Sequence, residues 1–548
     1  MDSKPDPNTI IAIDFGTTNS VGYIYKNGRI EGLSSNQYNK QGVNLIPSFV
    51  EYTKYGAIVG SAAKNDFGKP MKKNGSKYVV AAVKRIIGLS YEEYEKLQDK
   101  SIFGCEIIKG QDGYPRFIID ANGNTKSPIE VASEIFKVLK QLADEYTNRK
   151  YTKAYVTVPA NFKDHQCRAI KEAAKLAGLE VLKLITEPTA AAMSWCFEHS
   201  NQIKSGEKMV VYDFGGGTFD VSLLHCFGPN KFRILNTGGN PNLGGNDLDT
   251  ALASFMIEKG SKYFGSDVIN GIQKNKKKMN CLRHSCESAK IEFSNSIPYN
   301  EDEQQYLKEN KKSYDIEMND DNLDLTLEEF YTVLSPFIDN TITITKDTIM
   351  KQKLMVGNIK KFFLVGGSSH LHLIKQRLQK KFTRAMFPSI NPDEAVAQGA
   401  MALVVNDATN KETIEEKIVI SYGLQTSSNT VALILKKGDT IPAVSGEIPF
   451  SNSQDYQPTI SSAIYQWTGD PSVVVEDDND IPVVPISECT RIEVLSFKNK
   501  YPKRANEQHL TILFSLKVGG TLEVICKDKD KNEVLACKTY AAVYGGTN

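Results

Sequence analysis

The chain has almost no net charge, no long apolar run and no cysteine framework, and each shortage removes a class of function. Its 66 Lys and Arg against 65 Asp and Glu leave +1 over 548 residues. Proteins that work by attraction to polyanions or charged membrane surfaces carry a larger imbalance, so neither direct nucleic-acid binding nor membrane attachment is expected. No apolar stretch reaches the length of a bilayer span. Met1–Pro7 lacks the apolar centre of a secretion signal, and Tyr544–Asn548 is no retention signal. The 9 cysteines are an odd number without paired spacing, which suits a reducing compartment. Cys281 and Cys286 flank His284, but their spacing fits no common zinc pattern and reads as helix packing. The basic run Lys274–Lys278 reads as solvated surface. The expectation is a soluble cytoplasmic protein. What is present is 41% hydrophobic residues, enough to bury the cores of several domains.

The rest is organised around Lys208–Leu224, two apolar, β-branched runs joined at Gly215-Gly216-Gly217. They predict a hairpin whose tip carries no Cβ atoms. Successive backbone N–H groups in such a tip form a concave anion site, although a plain turn reads the same way. Asp213 and Asp220 bracket the tip, and carboxylates beside a phosphate site suit hydrated magnesium. The pattern recurs in Ile10–Tyr25, with Asp14 matching Asp213, Gly16 matching Gly215, and Thr17-Thr18 at the tip. Two such hairpins predict two similar lobes closing on one polyphosphate.

Between the hairpins, Leu45–Val50 reads as extended because Pro47 biases its predecessor away from helix. Val79–Gly88 reads as a short apolar helix ending at Gly88, with the basic pair Lys84-Arg85 in its last turns. Ser127 caps an amphipathic helix with Pro128 at its first position. A strand from Lys153 stops at Pro159, a helix runs to Ala177 and ends at Gly178, and a strand leads into Thr186 and Glu187. This alternation predicts an α/β fold with a parallel-containing sheet covered by helices. Glu287, Lys290 and Ser294 share one side of a helix beside the apolar stripe Leu282, Cys286, Ala289 and Phe293; alone, they read as a solvated face. Asn300–Asp321 is expected to contain a mobile excursion, and Thr326–Glu329 is a capping box. Asn406–Lys417 reads as a polar linker or frayed helix. From Ile418 onward only strand signals remain, at 418–423, 430–436, 459–467, 491–497, 510–516 and 521–527, which predict an antiparallel β-sandwich.

These motifs resemble the DnaK-type 70-kDa heat-shock chaperones, a branch of the actin and sugar-kinase superfamily. The resemblance rests on Asp14–Ser20, Lys84–Gly88, Thr157–Phe162, Glu187–Ala192, Asp213–Asp220, Leu243–Asp249, Cys286–Ser294, Leu364–Ser369 and Asn391–Ala397, in the family's order and spacing. It implies an actin-like nucleotide-binding domain over 1–405, a linker over 406–417 and a peptide-binding-like β-sandwich over 418–548. The match is thinner in the last of these. The sequence ends where the family's helical lid begins and lacks its Glu-Glu-Val-Asp tail, so an atypical, lid-less member is expected.

The resemblance also implies roles. Asp14 and Asp213 position hydrated Mg2+, mainly through water. Gly16, Thr17, Thr18, Asn19, Gly215, Gly216, Gly217 and Thr218 cradle the phosphates of ATP or ADP, with Gly244 and Gly245 behind them. Lys84 lies beside the γ-phosphate and the attacking water, which Glu187 and Asp220 order. Glu287, Lys290 and Ser294 contact adenosine, opposite Gly366, Gly367, Ser368 and Asp393. His370 stands where the family commonly stacks an arginine on adenine, and Cys167 stands where it carries an arginine that reports nucleotide state. The family's leucine-rich linker is not recognisable in Asn406–Lys417. The implied function is a slow ATPase chaperone or co-chaperone working with a J-domain protein, a nucleotide-exchange factor and unfolded or nascent polypeptide. The alternative is a ribosome-associated type, an ATP-binding regulatory partner of a J-domain protein with little hydrolysis. A sugar kinase on the same fold has no use for the β-sandwich.

Overall fold

The computed structural model describes the chain except for residues 1–5, 36, 39–42, 68–77, 98–99, 229–230, 297–312, 319–320, 410–415, 419, 427, 442, 468, 470–472, 477–480, 518–520 and 542–548. Both predicted hairpins form. β1 (Ile10–Phe15) and β2 (Asn19–Lys26) pair antiparallel, with Phe15 opposite Ser20 across the tip. They sit in one sheet with β3 (Arg29–Gly32), β4 (Lys153–Val158) and β5 (Glu180–Thr186), in the order β5-β4-β1-β2-β3. The pairs β1–β4 and β4–β5 are parallel, and β1 is buried almost throughout. That is why these strands read as continuous apolar runs rather than alternating ones.

Three helices accompany this sheet: α1 (Pro128–Thr147), α2 (Asp164–Leu176) and α3 (Glu187–Cys196). Ser127 caps α1 as its sequence foretells, its Oγ accepting from the Glu130 N–H at 3.2 Å while Glu130 returns the bond to the Ser127 N–H at 2.9 Å. Gly178 ends the second helical segment at φ +79°, a conformation that favours glycine.

The second hairpin, β6 (Lys208–Phe214) and β7 (Phe219–Gly228), is set between β8 (Lys231–Asn240) and β9 (Ile359–Val365) in the order β8-β7-β6-β9, with β9 parallel to β6. Around it lie α4 (Gly245–Phe264), α5 (Lys276–Ser296), α6 (Leu327–Met350) and α7 (His372–Lys381). The capping box at Thr326 opens α6. Cys286 is buried on the packed face of α5 while Cys281 is exposed, as helix packing requires. α8 (Ala395–Thr409) then crosses back onto α3 and β1.

After α8 come two antiparallel sheets. One runs Val475–Glu476, Pro482–Pro485, Thr430–Leu435, Ser421–Gln425, Thr459–Trp467 and Thr490–Lys498; the other pairs Leu510–Lys517, Thr521–Asp528 and β10 (Glu533–Ala541). Tyr422, Ile464 and Leu495 from the first share an apolar core with Phe514, Val524 and Tyr540 from the second. β10 also rests against α2.

Two expectations need correcting, at Val79–Gly88 and at Ile418, and a third falls largely outside the described residues. Val79–Gly88 is not a helix: Tyr78–Val80 is a strand paired with Val50–Thr53, and Val83–Arg85 is one 3-10 turn. The β-branched pair Val79-Val80 satisfies its backbone in a sheet, and Gly88 at φ +80° lies where a Cβ would meet Gln166 Cα at 2.7 Å. Within Asn300–Asp321, Ser313–Met318 pairs with Asp321–Thr326; the expected excursion is left untested, because 300–312 and 319–320 lie outside the described residues. The strand expected from Ile418 starts at Ser421. As for the polar segment, α8 covers Asn406–Thr409 as helix and 410–415 lie outside the described residues.

Candidate functional site

The tips of the two hairpins face each other. A Cβ on Gly216 would stand 2.0 Å from Thr18 Oγ1 and force Thr18 to move, and one on Gly217 would stand 3.3 Å from Thr17 Cγ2, so the tips approach with little room for side chains on the glycines. Gly244 backs the second tip, where a Cβ would lie 2.5 Å from three Gly217 backbone atoms. The tip is tied to the start of α4 by Gly245 N–H donating to Gly215 O at 2.9 Å and Asn246 N–H donating to Gly216 O at 2.8 Å. Ser368 Oγ donates to Gly215 O at 2.9 Å from the opposite side.

Between the tips opens a cavity of about 490 Å³. It is lined by Asp14, Gly16, Thr17, Thr18, Asn19, Lys84, Glu187, Asp213, Gly215, Gly216, Gly217, Thr218, Gly245, Glu287, Lys290, Ser294, Gly366, Gly367, Ser368, His370 and Asp393. Of the residues the sequence assigns to nucleotide, metal and water, two do not line it: Gly244, which supports the tip from behind, and Asp220, which faces a second cavity of about 400 Å³ behind the first. Glu187 and Asp213 form the wall common to both cavities.

The deep end of the cavity is acidic. Glu187 is buried, Asp14 and Asp213 are half-buried beside it, Asp220 lies behind it at the second cavity, and the Lys84 ammonium stands close to this acidic group. Lys84 is buried, not solvated as a helix-end lysine would be, and its Nζ donates to Glu187 Oε1 at 2.6 Å. Burial pushes the Glu187 carboxyl up to about 7 despite Lys84, and the Asp220 carboxyl up to about 6. Asp213 is raised well above the ordinary carboxylate range, by burial and then by Glu187 and Asp220; Asp14 is raised by burial against the pull of Lys84. For Lys84 itself burial works against the charge, but the carboxylates of Glu187, Asp14 and Asp213 outweigh it and hold the ammonium above its ordinary value.

Four carboxyls around one ammonium are a charge excess that a hard cation relieves. Among the described residues no three His, Cys, Asp or Glu converge as a direct ligand set. Such carboxyls fit a divalent ion that would keep several of its waters, as magnesium tends to. The outer wall differs in kind. Lys290 Nζ pairs with Asp249 Oδ1 at 2.7 Å and donates to Gly245 O at 3.1 Å. Lys64 Nζ pairs with Glu287 Oε1 at 3.1 Å, and His284 Nδ1 lies 3.2 Å from Glu287 Oε2. Against the cost of burial, His284, Lys64 and Lys290 hold Glu287 down at about 2. His370 Nε2 sits 2.9 Å from Asp393 Oδ2; that hydrogen bond raises the imidazole and favours its cation, which narrows its difference from an arginine.

Several partners escaped the sequence reading. Thr157 Oγ1 donates to Asp14 Oδ1 at 2.8 Å, and Asn161 Nδ2 donates to Asp220 Oδ1 at 3.2 Å. Both lie in the Thr157–Phe162 motif, whose polar residues were a usable signal. Asp249 was visible as the end of Leu243–Asp249. Lys64, 223 residues from Glu287, had no signal at all.

A family model described as Hsp70 protein matches residues 10–533. Members of that family are ATP-binding chaperones with ATPase activity that use Mg2+ and work with J-domain proteins, nucleotide-exchange factors and unfolded clients. The match takes in both hairpins, the cavity between them and nearly all of the strands after α8; the chain belongs to the Hsp70 family.

Proposed function

We propose that the cavity between the hairpin tips binds Mg-ATP and hydrolyses it slowly, and that this drives assistance to unfolded or nascent polypeptide held by residues 418–548. The division is 1–405 for the ATPase and 406–417 for the connection. One observation carries the reading: the Lys84–Glu187 pair stands among Asp14, Asp213 and Asp220, beside the Gly16-Thr17-Thr18 and Gly215–Gly217 tips. Asp14 and Asp213 would hold hydrated magnesium through its waters, and the ion would supply neutralisation of phosphate charge. Lys84 Nζ places positive charge where the γ-phosphate must lie. Glu187, near neutrality in its proton affinity, is matched to take a proton from the attacking water. Asp220, hydrogen-bonded to Thr218, orders that water from behind. Glu287, Lys290, Ser294, His370 and Asp393 set the adenosine end.

The regulatory reading, of a ribosome-associated partner with little hydrolysis, is favoured by one feature. Cys167 is buried in the core and its thiol is pushed up to about 12 by burial, so α2 offers no charge at that position to the β10 contact. A single-turnover ATP assay with and without a J-domain protein separates the two. Slow conversion accelerated by the J-domain protein is expected; tight ATP binding with no conversion in either condition establishes the regulatory reading instead.

The raised carboxyls make the ligand's effect depend on pH. Their folded pKa values exceed their unfolded ones, so the ligand-free fold binds extra protons, and it loses stability as pH rises from about 4 through about 7. Magnesium nucleotide relieves that repulsion. Calorimetry with and without Mg-ADP is expected to show a larger rise in melting temperature at about pH 8 than at about pH 5.5. An equal or smaller rise at the higher pH counts against these carboxyls facing the metal.

A further inference from the structure

Between Asp347 and Asp393 the chain contains no acidic residue but nine lysines and arginines. With +1 overall, the remaining residues therefore carry −8 (+1 minus 9). Four of the nine are already engaged: Lys361 Nζ pairs with Glu207 Oε2 at 2.5 Å, Arg377 Nη1 pairs with Asp339 Oδ1 at 2.5 Å, and Lys375, which is buried, and Lys380 have interactions of their own. Lys351, Lys353, Lys360, Lys381 and Arg384 are exposed, and none of these five has an ion pair among the described residues.

The fold brings these cations onto one face. The Met386 N–H donates to Lys360 O at 2.8 Å and the Phe362 N–H to Met386 O at 2.8 Å, so 384–387 lies along the outer edge of β9. A Cβ on Gly357 would stand 3.9 Å from Arg384 Cδ and Nη1, which joins the segment after α6 to the same surface. Leu354, Val356, Ala385 and Phe387 turn inward against the apolar core. Met350, Met355 and Met386 turn outward, 52%, 74% and 44% exposed. Single exposed apolar residues need no explanation, but three methionines interspersed with unpaired cations make a mixed surface. Thioethers are flexible and polarisable, and methionine is favoured where a surface must accept varied apolar partners.

We propose that this face, formed by the end of α6, the outer edge of β9 and residues 381–386, docks an acidic amphipathic segment of a partner protein. Its carboxylates would meet Lys353, Lys360 and Arg384 while its aliphatic side chains cover the methionines. Charge complementarity selects the sign, and the exposed methionines select an apolar component. RNA is the poorer fit: four of the five cations are lysines rather than arginines, and none of the exposed aromatics falls within 348–392 to stack a base. Lys351 also lines the second cavity, whose inner end is Glu187, Asp213 and Asp220, so the occupant borders a route to the acidic cluster.

The test uses the full chain and three probes in fluorescence anisotropy: an amphipathic peptide of glutamate and leucine, a glutamate–serine peptide of equal charge, and poly(U). The glutamate–leucine peptide is expected to bind best. The triple variant Lys353→Glu, Lys360→Glu, Arg384→Glu, changing exposed side chains only, is expected to weaken it by about tenfold or more. Methyl-labelled methionine spectra supply a second readout, since the chain has only 11 methionines. Signals of Met350, Met355 and Met386, assigned by single Met→Leu variants, are expected to move on titration. The proposal is overturned if those signals stay fixed or the reversal changes affinity less than about twofold. It is likewise overturned if the serine peptide binds equally well, which leaves charge alone, or if poly(U) binds more tightly, which assigns the face to RNA.

Discussion

Lys84→Ala is expected to lower single-turnover ATP hydrolysis by about 10²–10³-fold, the size of effect seen when one preorganised stabilising donor is deleted. The substitution removes the ammonium around which Asp14, Glu187 and Asp213 are arranged, and it leaves Glu187 buried without its 2.6 Å partner. A buried carboxylate that loses its cation takes up a proton, so the candidate base is lost together with the cation. Nucleotide affinity is expected to stay within a few-fold, because the adenosine end is built from Glu287, Lys290, His370 and Asp393, which do not touch Lys84. Quench-flow measurement of the first turnover, beside ADP titration by calorimetry, checks both halves. Equal turnover by variant and parent removes Lys84 from the chemistry. Loss of ADP affinity in step with turnover makes its role structural.

The second large effect is expected far from any phosphate. Gly399 lies in α8 where it crosses α3, and a Cβ there would come 1.7 Å from Ala190 O and 2.6 Å from Ala190 C. These are backbone atoms, which cannot swing aside as a flexible side chain does. Gly399→Ala therefore forces the two helices apart along a seam of small residues that includes Ala191, Ala192, Ala397 and Ala400, all fully buried. Overpacking of this kind costs about 1–3 kcal/mol, and more where only backbone can yield; about 3 kcal/mol is expected in urea unfolding of the first cooperative transition. α3 begins with Glu187, so the displacement also shifts the partner of Lys84. Turnover is expected to fall even under conditions where the variant remains folded. An unchanged unfolding midpoint shows that the helices separate at no cost, and refutes the close crossing.

The legible parts of this protein were the locally encoded ones. Hairpin periodicity, the Ser127 cap, the Thr326 capping box and the glycine after α2, at φ +79°, each depend on residues a few positions apart, and each formed where it was read. Val79–Gly88 misled for the same reason. Its apolar run satisfies a strand or a helix equally well, and pairing with Val50–Thr53 settled the matter from nearly thirty residues away. β10 went unnoticed because Glu533–Ala541 mixes charged and apolar residues on a strand open to solvent along much of its length.

The candidate site divides along the same line. Residue types and spacing were enough to nominate the two tips and the acids beside them, because phosphate and hydrated magnesium demand glycine, hydroxyl and carboxylate in short order. Proton affinities were beyond the reach of sequence. Glu187 stands near 7 and Glu287 near 2, although both are glutamates partnered by a lysine. The first is sunk among other carboxylates, and the second receives Lys64, Lys290 and His284. Desolvation and Coulomb energy depend on distances through space, and those are set by which elements pack together. The basic face after α6 divides in the same way. Its charge run can be counted along the chain, whereas pairing Lys361 with Glu207 and Arg377 with Asp339 while leaving Lys353, Lys360 and Arg384 in water follows from where β9 and α7 come to lie.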